Sequence, residues 1–221
     1  MSGMKVLDIN VPKRKYDDFR LTFGGGVLLV VLCAFLMIIS TFYELNLTHF
    51  ILPSDFFNGS AVFPKDYVYT YKIIPQIPAV MFTAAFLGRK YGMSSVILYL
   101  IGGLFIIPVF ALGGGPKYIL EYGFGYLLGY IPAVFFAGSI IKSGFSLRNI
   151  AQASIVGVFT IHIIGIFYML FLAAIQHEGW IFIKSWILYQ SGIKILYDFA
   201  LSFVAMFIAR YLKIILWLYM K

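Results

Sequence analysis

An amine and a carboxylate, Lys194 and Asp198, stand four residues apart in the otherwise apolar run Ser191–Arg210. Four residues is one helical turn, so on a helix the two share a face. Charge inside an apolar span is costly and rare, which makes Asp198 a candidate for function rather than packing. A carboxylate there can accept ligand N–H groups, pair with a cation or relay a proton.

Little else in the chain suits catalysis. The phosphate-cradling pattern GxxxxGK[ST] is absent, and Gly113-Gly114-Gly115 runs instead into Pro116 and Lys117. The chain therefore does not hydrolyse ATP by itself. It has no HExxH, no workable pair of carboxylates and no nucleophile elbow, so an enzyme reading finds little support. The lone Cys33 and the scattered His49, His162 and His177 lack metal-ligand spacing, so no metal or other cofactor is expected. His162 reads as a hydrogen-bonded packing residue.

The stretch Leu98–Pro132 is rich in two residue types. Glycines at 102, 103, 113, 114, 115, 123, 125 and 129 allow close approach of backbones or of a ligand. Tyr118, Tyr122, Tyr126 and Tyr130 recur every four residues, forming one stripe if the stretch is helical. Such a stripe suits an interfacial aromatic belt, or the wall of an outward-facing pocket under a Gly-rich loop.

These residues need a membrane scaffold to position them. The chain is 62% hydrophobic and 12% charged, against ~25% charged in soluble domains. With ~20 apolar residues per span, the sequence predicts six: Gly24–Tyr43, Tyr71–Leu87, Met93–Ala111, Phe124–Ile141, Asn149–Ile175 and Ile193–Ala209. Residues 1–23 form a polar N-terminal segment before the 24–221 membrane domain. No cleaved signal peptide is expected. A long loop covers 44–72, residues 176–192 read as interfacial, and the tail from Arg210 extends the last helix.

Charge sets the orientation. Twelve of the 17 Lys and Arg residues fall on the side that holds both termini, and Lys65, Lys72, Lys117, Lys184 and Lys194 on the other. Positive charge marks the cytoplasmic side, so six spans with both termini cytoplasmic is the consistent solution for a multi-pass cell-membrane protein. The net charge of +8 is then a topology signal, not a nucleic-acid footprint. Asp198 falls near the outer end of span six, below loops 44–72, 112–123 and 176–192.

Four segments carry a family resemblance. They are "QIPAVMFTAAFLGRKYG" (76–92), "LYLIGGLFIIPVFALGGG" (98–115), "GYLLGY" (125–130) and "DFALSFVAMFIAR" (198–210). Together they resemble the BioY family, the biotin-specific substrate-capture (S) components of energy-coupling-factor (ECF) transporters. The likeness covers about residues 73–142 well and 149–213 loosely. The chain departs from the family at the Lys three residues after the Asp, which is Leu201 here, and in its first-span Ala-x-x-x-Ala, of which Gly26, Val30 and Ala34 keep only part.

The resemblance implies an all-α, six-helix S-component bundle that captures biotin and works with a transmembrane coupling subunit and ATPase subunits. The chemistry of biotin then assigns roles. A ureido N–H wants an acceptor, Asp198. The bicycle wants aromatics: Phe110, Tyr118, Tyr122 and Tyr126. The carboxylate tail wants a cation, Lys194. Gly114 and Gly115 offer backbone amides or let their loop close, and Gln76 starts span two where it can face the pocket. The partner-facing surface is expected on helices one to three, through Gly26, Ala34, Ala84 and Gly88. The alternative is a self-sufficient proton-coupled secondary transporter of a small carboxylate or vitamin, with Asp198 as the proton relay.

Overall fold

The computed structural model describes residues 23–50, 63 and 67–219. The expected N-terminal segment, residue 23 apart, and the middle of the 44–72 loop lie outside them. The described residues include six α-helices: α1 (Phe23–Thr41), α2 (Gln76–Phe105), α3 (Phe124–Lys142), α4 (Leu147–Ile175), α5 (Trp180–Ser191) and α6 (Lys194–Tyr219). The strands β1 (Leu45–Phe50) and β2 (Val68–Ile73) pair antiparallel, Leu45 opposite Ile73 and Phe50 opposite Val68. The fold is mostly helical rather than all-α, because the first long loop rises and returns as a hairpin. Its outer residues are polar or aromatic and β-prone, and Thr48 and Thr70 face each other with hydroxyls 3.2 Å apart.

Four helical stretches of the described residues are long and apolar enough to cross a membrane: Gly24–Thr41, Phe124–Lys142, Leu147–Ile175 and Trp180–Leu216. Helix α2 is a special case. Its backbone leaves helical geometry at Gly88, with φ of 73° and ψ of −171°, a conformation open to glycine. The two arms then run back against each other. A Cβ on Gly92 would lie 3.5 Å from the Thr83 carbonyl oxygen, and Gln76 hydrogen-bonds Tyr99 near the arms' far ends. A straight helix would separate residues 76 and 99 by about 35 Å.

Several boundaries differ from expectation for identifiable reasons. Helix α2 starts at Gln76, not Tyr71, because residues 71–73 are held in β2. It ends at Phe105, not Ala111. Pro108 disfavours a helical Ile107, and Phe110 and Gly113 exchange backbone hydrogen bonds of 2.7 and 2.9 Å in a tight turn. The 176–192 region, expected as an interfacial segment, contains the helix α5. Helix α4 begins on an N-cap: the Ser146 hydroxyl accepts the Asn149 amide at 3.0 Å.

The α3–α4 interface explains part of the glycine pattern. A Cβ on Gly125 would fall 2.3 Å from Tyr168 Cβ, and one on Gly129 would fall 2.9 Å from Ile161 Cα. These two glycines, one turn apart, bring α4 close. The neighbouring Tyr126 and Tyr130 are thereby turned into the bundle, both buried. Connectivity puts the hairpin, the first residues of α3 and α6, and helix α5 at one end of the bundle. The Gly88 turn and the 143–146 loop lie at the other.

Candidate functional site

Two buried polar clusters occupy the hairpin end of the bundle, and each includes one α3 tyrosine. In the first, the Tyr126 hydroxyl lies 2.6 Å from Ser191 Oγ. Ser191 Oγ lies 2.9 Å from His162 Nδ1, and His162 Nε2 lies 3.2 Å from Asp198 Oδ2. All four side chains are buried, Asp198 completely. The chain of contacts is satisfiable in one direction. Tyr126 O–H donates to Ser191, Ser191 O–H donates to Nδ1, and Nε2–H donates to Asp198. Asp198 is thereby fixed by one oxygen, while its Oδ1 has no hydrogen-bond partner among the described residues; neither has the buried Ser202 Oγ.

In the second cluster, the Tyr130 hydroxyl donates to Gln76 Oε1 at 2.9 Å. The Gln76 amide in turn reaches Thr41 Oγ1 at 2.9 Å and the Tyr99 hydroxyl. Four chain segments (α1, both arms of α2, and α3) are tied by this one amide. Tyr130 lies within electrostatic reach of Asp198, Tyr99 and Tyr118, so the two clusters are neighbours.

An aromatic wall adjoins them. Phe110 packs against Tyr99 and Tyr118, with ring centroids 5.4 and 4.7 Å away. Its seat exists because residue 103 is glycine: a Cβ there would fall 2.2 Å from the Phe110 ring. Burial pushes the Tyr118 phenol pKa up, and the nearby Glu121 carboxylate adds to that against a hydrogen bond to the Leu112 backbone. Trp186 of α5 lies 5.7 Å from the Tyr126 ring and 6.2 Å from that of Tyr122. Above them the hairpin is anchored by Tyr71, which donates to the Tyr189 carbonyl at 2.8 Å and stacks on Tyr197 at 5.7 Å.

The structure brings Asp198, Gln76, Phe110, Tyr118 and Tyr126 into this buried region. Lys194, Tyr122, Gly114 and Gly115 have other neighbours. Lys194 does not pair with Asp198: it is half-buried and donates to Gln190 at 3.3 Å, while the carboxylate takes His162. A lysine one turn away leans toward the helix end and water, whereas His162 faces Asp198 directly from α4. Tyr122 leaves the tyrosine stripe, because residues 116–123 are not α-helical; its hydroxyl binds Gln176 and Glu178. Gly115 does not present a free amide. Its N–H donates to the Gly103 carbonyl at 2.9 Å, and Gly114 is packed so tightly that a Cβ would fall 2.5 Å from Pro108 Cα. These glycines shape and close their loop.

The small residues expected to dock a partner also make contacts inside the chain, and Ala34 lines an open groove. Ala34 and Ala84 are buried, and Gly26 packs on the Tyr91 ring, 3.2 Å from a would-be Cβ. Gly88 makes the turn in α2. An apolar groove lined by Val31, Phe35, Leu98, Gly102, Ile106 and others opens between α1 and the second arm of α2, and none of the residues expected to bind ligand lines it.

Sequence reasoning missed His162, Ser191 and Ser202. The signal in the sequence was a histidine in the middle of an apolar span, read as packing. His162 does hydrogen-bond within the core, but its partner is the one buried acid among the described residues.

The arrangement offers a fixed carboxylate acceptor, an orphan hydroxyl and an aromatic wall, with no metal-ligating group among the described residues. That is a set suited to holding a small, partly polar ligand. The BioY family model matches residues 21–216. The chain belongs to the BioY family. A probable biotin transporter BioY of Lysinibacillus sphaericus is 33% identical over 96 residues, 42% of this chain and 49% of that protein. The biotin transporter BioY of Thermotoga maritima is 31% identical over 97 residues, 43% of this chain and 57% of that one. The matched stretch thus spans about half the length of these curated relatives. The chain is also similar to the S-component for biotin from an ECF-type ABC transporter, solved by crystallography at 2.1 Å. The TM-score is 0.62 and the identity 19%, covering 87% of this chain and 94% of that one. At that identity the likeness is one of fold. This BioY-family chain is accordingly a multi-pass membrane protein with an S-component-like helical fold.

Proposed function

We propose that this chain is a biotin-binding S component. It captures biotin at the hairpin end, facing the cell exterior, and releases it inward when docked to an ECF coupling subunit and ATPase subunits. The observation that carries the reading is Asp198: a fully buried carboxylate with one oxygen held by His162 and the other free. A ureido N–H satisfies that oxygen, the aromatic wall of Phe110, Tyr118 and Tyr126 suits the bicycle, and Lys194 near the end of the bundle suits the carboxylate tail. The absence of a phosphate-binding loop in the sequence supports separate ATPase partners.

In this reading the two arms of α2 are separate spans. Six spans result, with both termini in the cytoplasm, a cytoplasmic segment 1–23 and a membrane domain 24–221. The reversal at Gly88 and the charge distribution support it. Exposed apolar residues of α1, among them Leu28, Leu32 and Phe35, are available to lipid or to the coupling subunit.

The test is biotin binding to purified, detergent-solubilised protein, wild type and Asp198→Asn. Tight binding by the wild type and its loss in the variant are expected. No binding by the wild type refutes the reading. The contact between His162 and Asp198 also favours a second reading, proton-coupled uptake without partners, since it gives the buried acid a titratable neighbour. Proteoliposomes holding this chain alone decide between them: biotin accumulation driven by a pH gradient supports the second.

A further inference from the structure

Asp198 Oδ1 is one of two orphan buried side-chain atoms among the described residues, and the second is less easily explained. Ser202 sits one turn further along α6, completely buried, and its hydroxyl has no hydrogen-bond partner. The register between α4 and α6 shows why. His162 meets Asp198, and Ser154 Oγ meets Met206 Sδ at 3.2 Å. Midway between those contacts, α4 presents Val158 opposite Ser202, and Val158 is apolar and buried. Nor does the hydroxyl turn back onto its own helix, as the Thr83 hydroxyl does on the Ala79 carbonyl at 2.9 Å. A buried hydroxyl left this way is unfavourable unless something else completes it.

Lys194, Asp198 and Ser202 recur every four residues, so they lie along one side of α6 over about 12 Å of rise. In order from the hairpin end they present a cation, a carboxylate acceptor and a hydroxyl donor. We infer that Ser202 is a ligand-contacting, specificity-determining residue that donates its hydroxyl hydrogen to the ureido carbonyl oxygen, while Asp198 Oδ1 accepts an adjacent ureido N–H. The ligand thus lies along α6, ureido ring innermost and carboxylate toward Lys194. A cyclic urea presents an N–H and a C=O side by side, and the two orphan atoms are their complements. His162 acts as a positioning residue, holding the other Asp198 oxygen so that Oδ1 stays free. The inference rests on the biotin reading above and adds the residue that recognises the carbonyl.

Calorimetric titration with biotin and with 2-thiobiotin, whose ureido oxygen is replaced by sulfur, a weaker acceptor, tests it. The proteins are detergent-solubilised wild type, Ser202→Ala and Ser202→Cys, the last keeping the size but only a weak donor. The wild type prefers biotin. Ser202→Ala weakens biotin binding by about tenfold and abolishes or sharply reduces the preference. Ser202→Cys falls between, and is read alone if the alanine variant does not fold. Wild-type affinity and preference in the variants, as expected if the hydroxyl meets only a buried water, overturn the inference. So does a loss of affinity that leaves the preference unchanged, which marks a structural role. Wild-type protein that binds biotin while the variants fail these tests leaves the biotin reading standing. Wild-type protein that does not bind biotin overturns both.

Discussion

His162 and Asp198 meet side chain to side chain, Nε2 to Oδ2 at 3.2 Å, with neither exposed. The pair joins α4 to α6 at the level where Tyr126 and Ser191 bring in α3 and α5. One histidine therefore links the buried acid on α6 to Ser191 on α5.

Removing the histidine leaves the carboxylate buried without its donor. His162→Ala is expected to cost about 1–3 kcal/mol of stability, read as a lower Tm in detergent. Adding Asp198→Asn removes the orphaned charge. The double variant should be more stable than the two single losses predict, because residues in contact are not additive. Strict additivity would show that the pair contributes nothing as a pair.

The Gln76 amide is expected to be structural whatever it does for a ligand. Gln76→Ala strands the Tyr130 hydroxyl and leaves that of Tyr99 only its longer contact with Thr41, at 3.4 Å. A loss of about 1–3 kcal/mol follows, and thermal unfolding of the two proteins side by side measures it. An unchanged Tm would show the hydroxyls finding other partners.

Glycines 114 and 123 should behave oppositely. A Cβ on Gly114 would lie 2.6 Å from the Gly103 carbonyl oxygen and 2.5 Å from Pro108 Cα, both backbone atoms that cannot swing aside. Gly114→Ala should distort the loop that seats Phe110, lowering both Tm and biotin binding. Gly123 has φ of −72° and nothing within 4 Å of a would-be Cβ. Gly123→Ala should be neutral in both measurements, and serves as the control.

Lys194 is half-exposed, so its contribution should be modest. Lys194→Ala is expected to weaken biotin several-fold, in line with about 0.2–1 kcal/mol for an exposed ion pair. It should leave binding of biotin methyl ester unchanged. Equal effects on acid and ester would remove Lys194 from the carboxylate.

Orientation can be read by labelling. In a Cys33→Ala background, a cysteine at Lys117 should react with an impermeant maleimide in intact cells. A cysteine at Lys142 should react only after permeabilisation. The reverse pattern would invert the topology.

The sequence alone determined the environment and most of the scaffold. Apolar runs long enough to cross a bilayer need no tertiary information to be recognised, although both ends of α2 fell elsewhere than expected. It also singled out Asp198, because one acid in an apolar span stands out in any arrangement. Gly125 and Gly129 were legible as close-approach positions, though not which helix they would meet.

What only the tertiary structure decided is which groups meet. Lys194 was the nearest cation in sequence, but helical spacing fixes only which face two residues share. His162 lies 36 residues from Asp198, and their contact depends on the register of α4 against α6, which no periodicity in either helix encodes. The same register leaves Ser202 facing Val158, without a partner. Small residues on α1 and α2 were expected as docking contacts. Within the chain Gly26 packs on the Tyr91 ring and Gly88 makes the reversal in α2, because close approach between helices of one chain uses the same residue types that close approach between chains would.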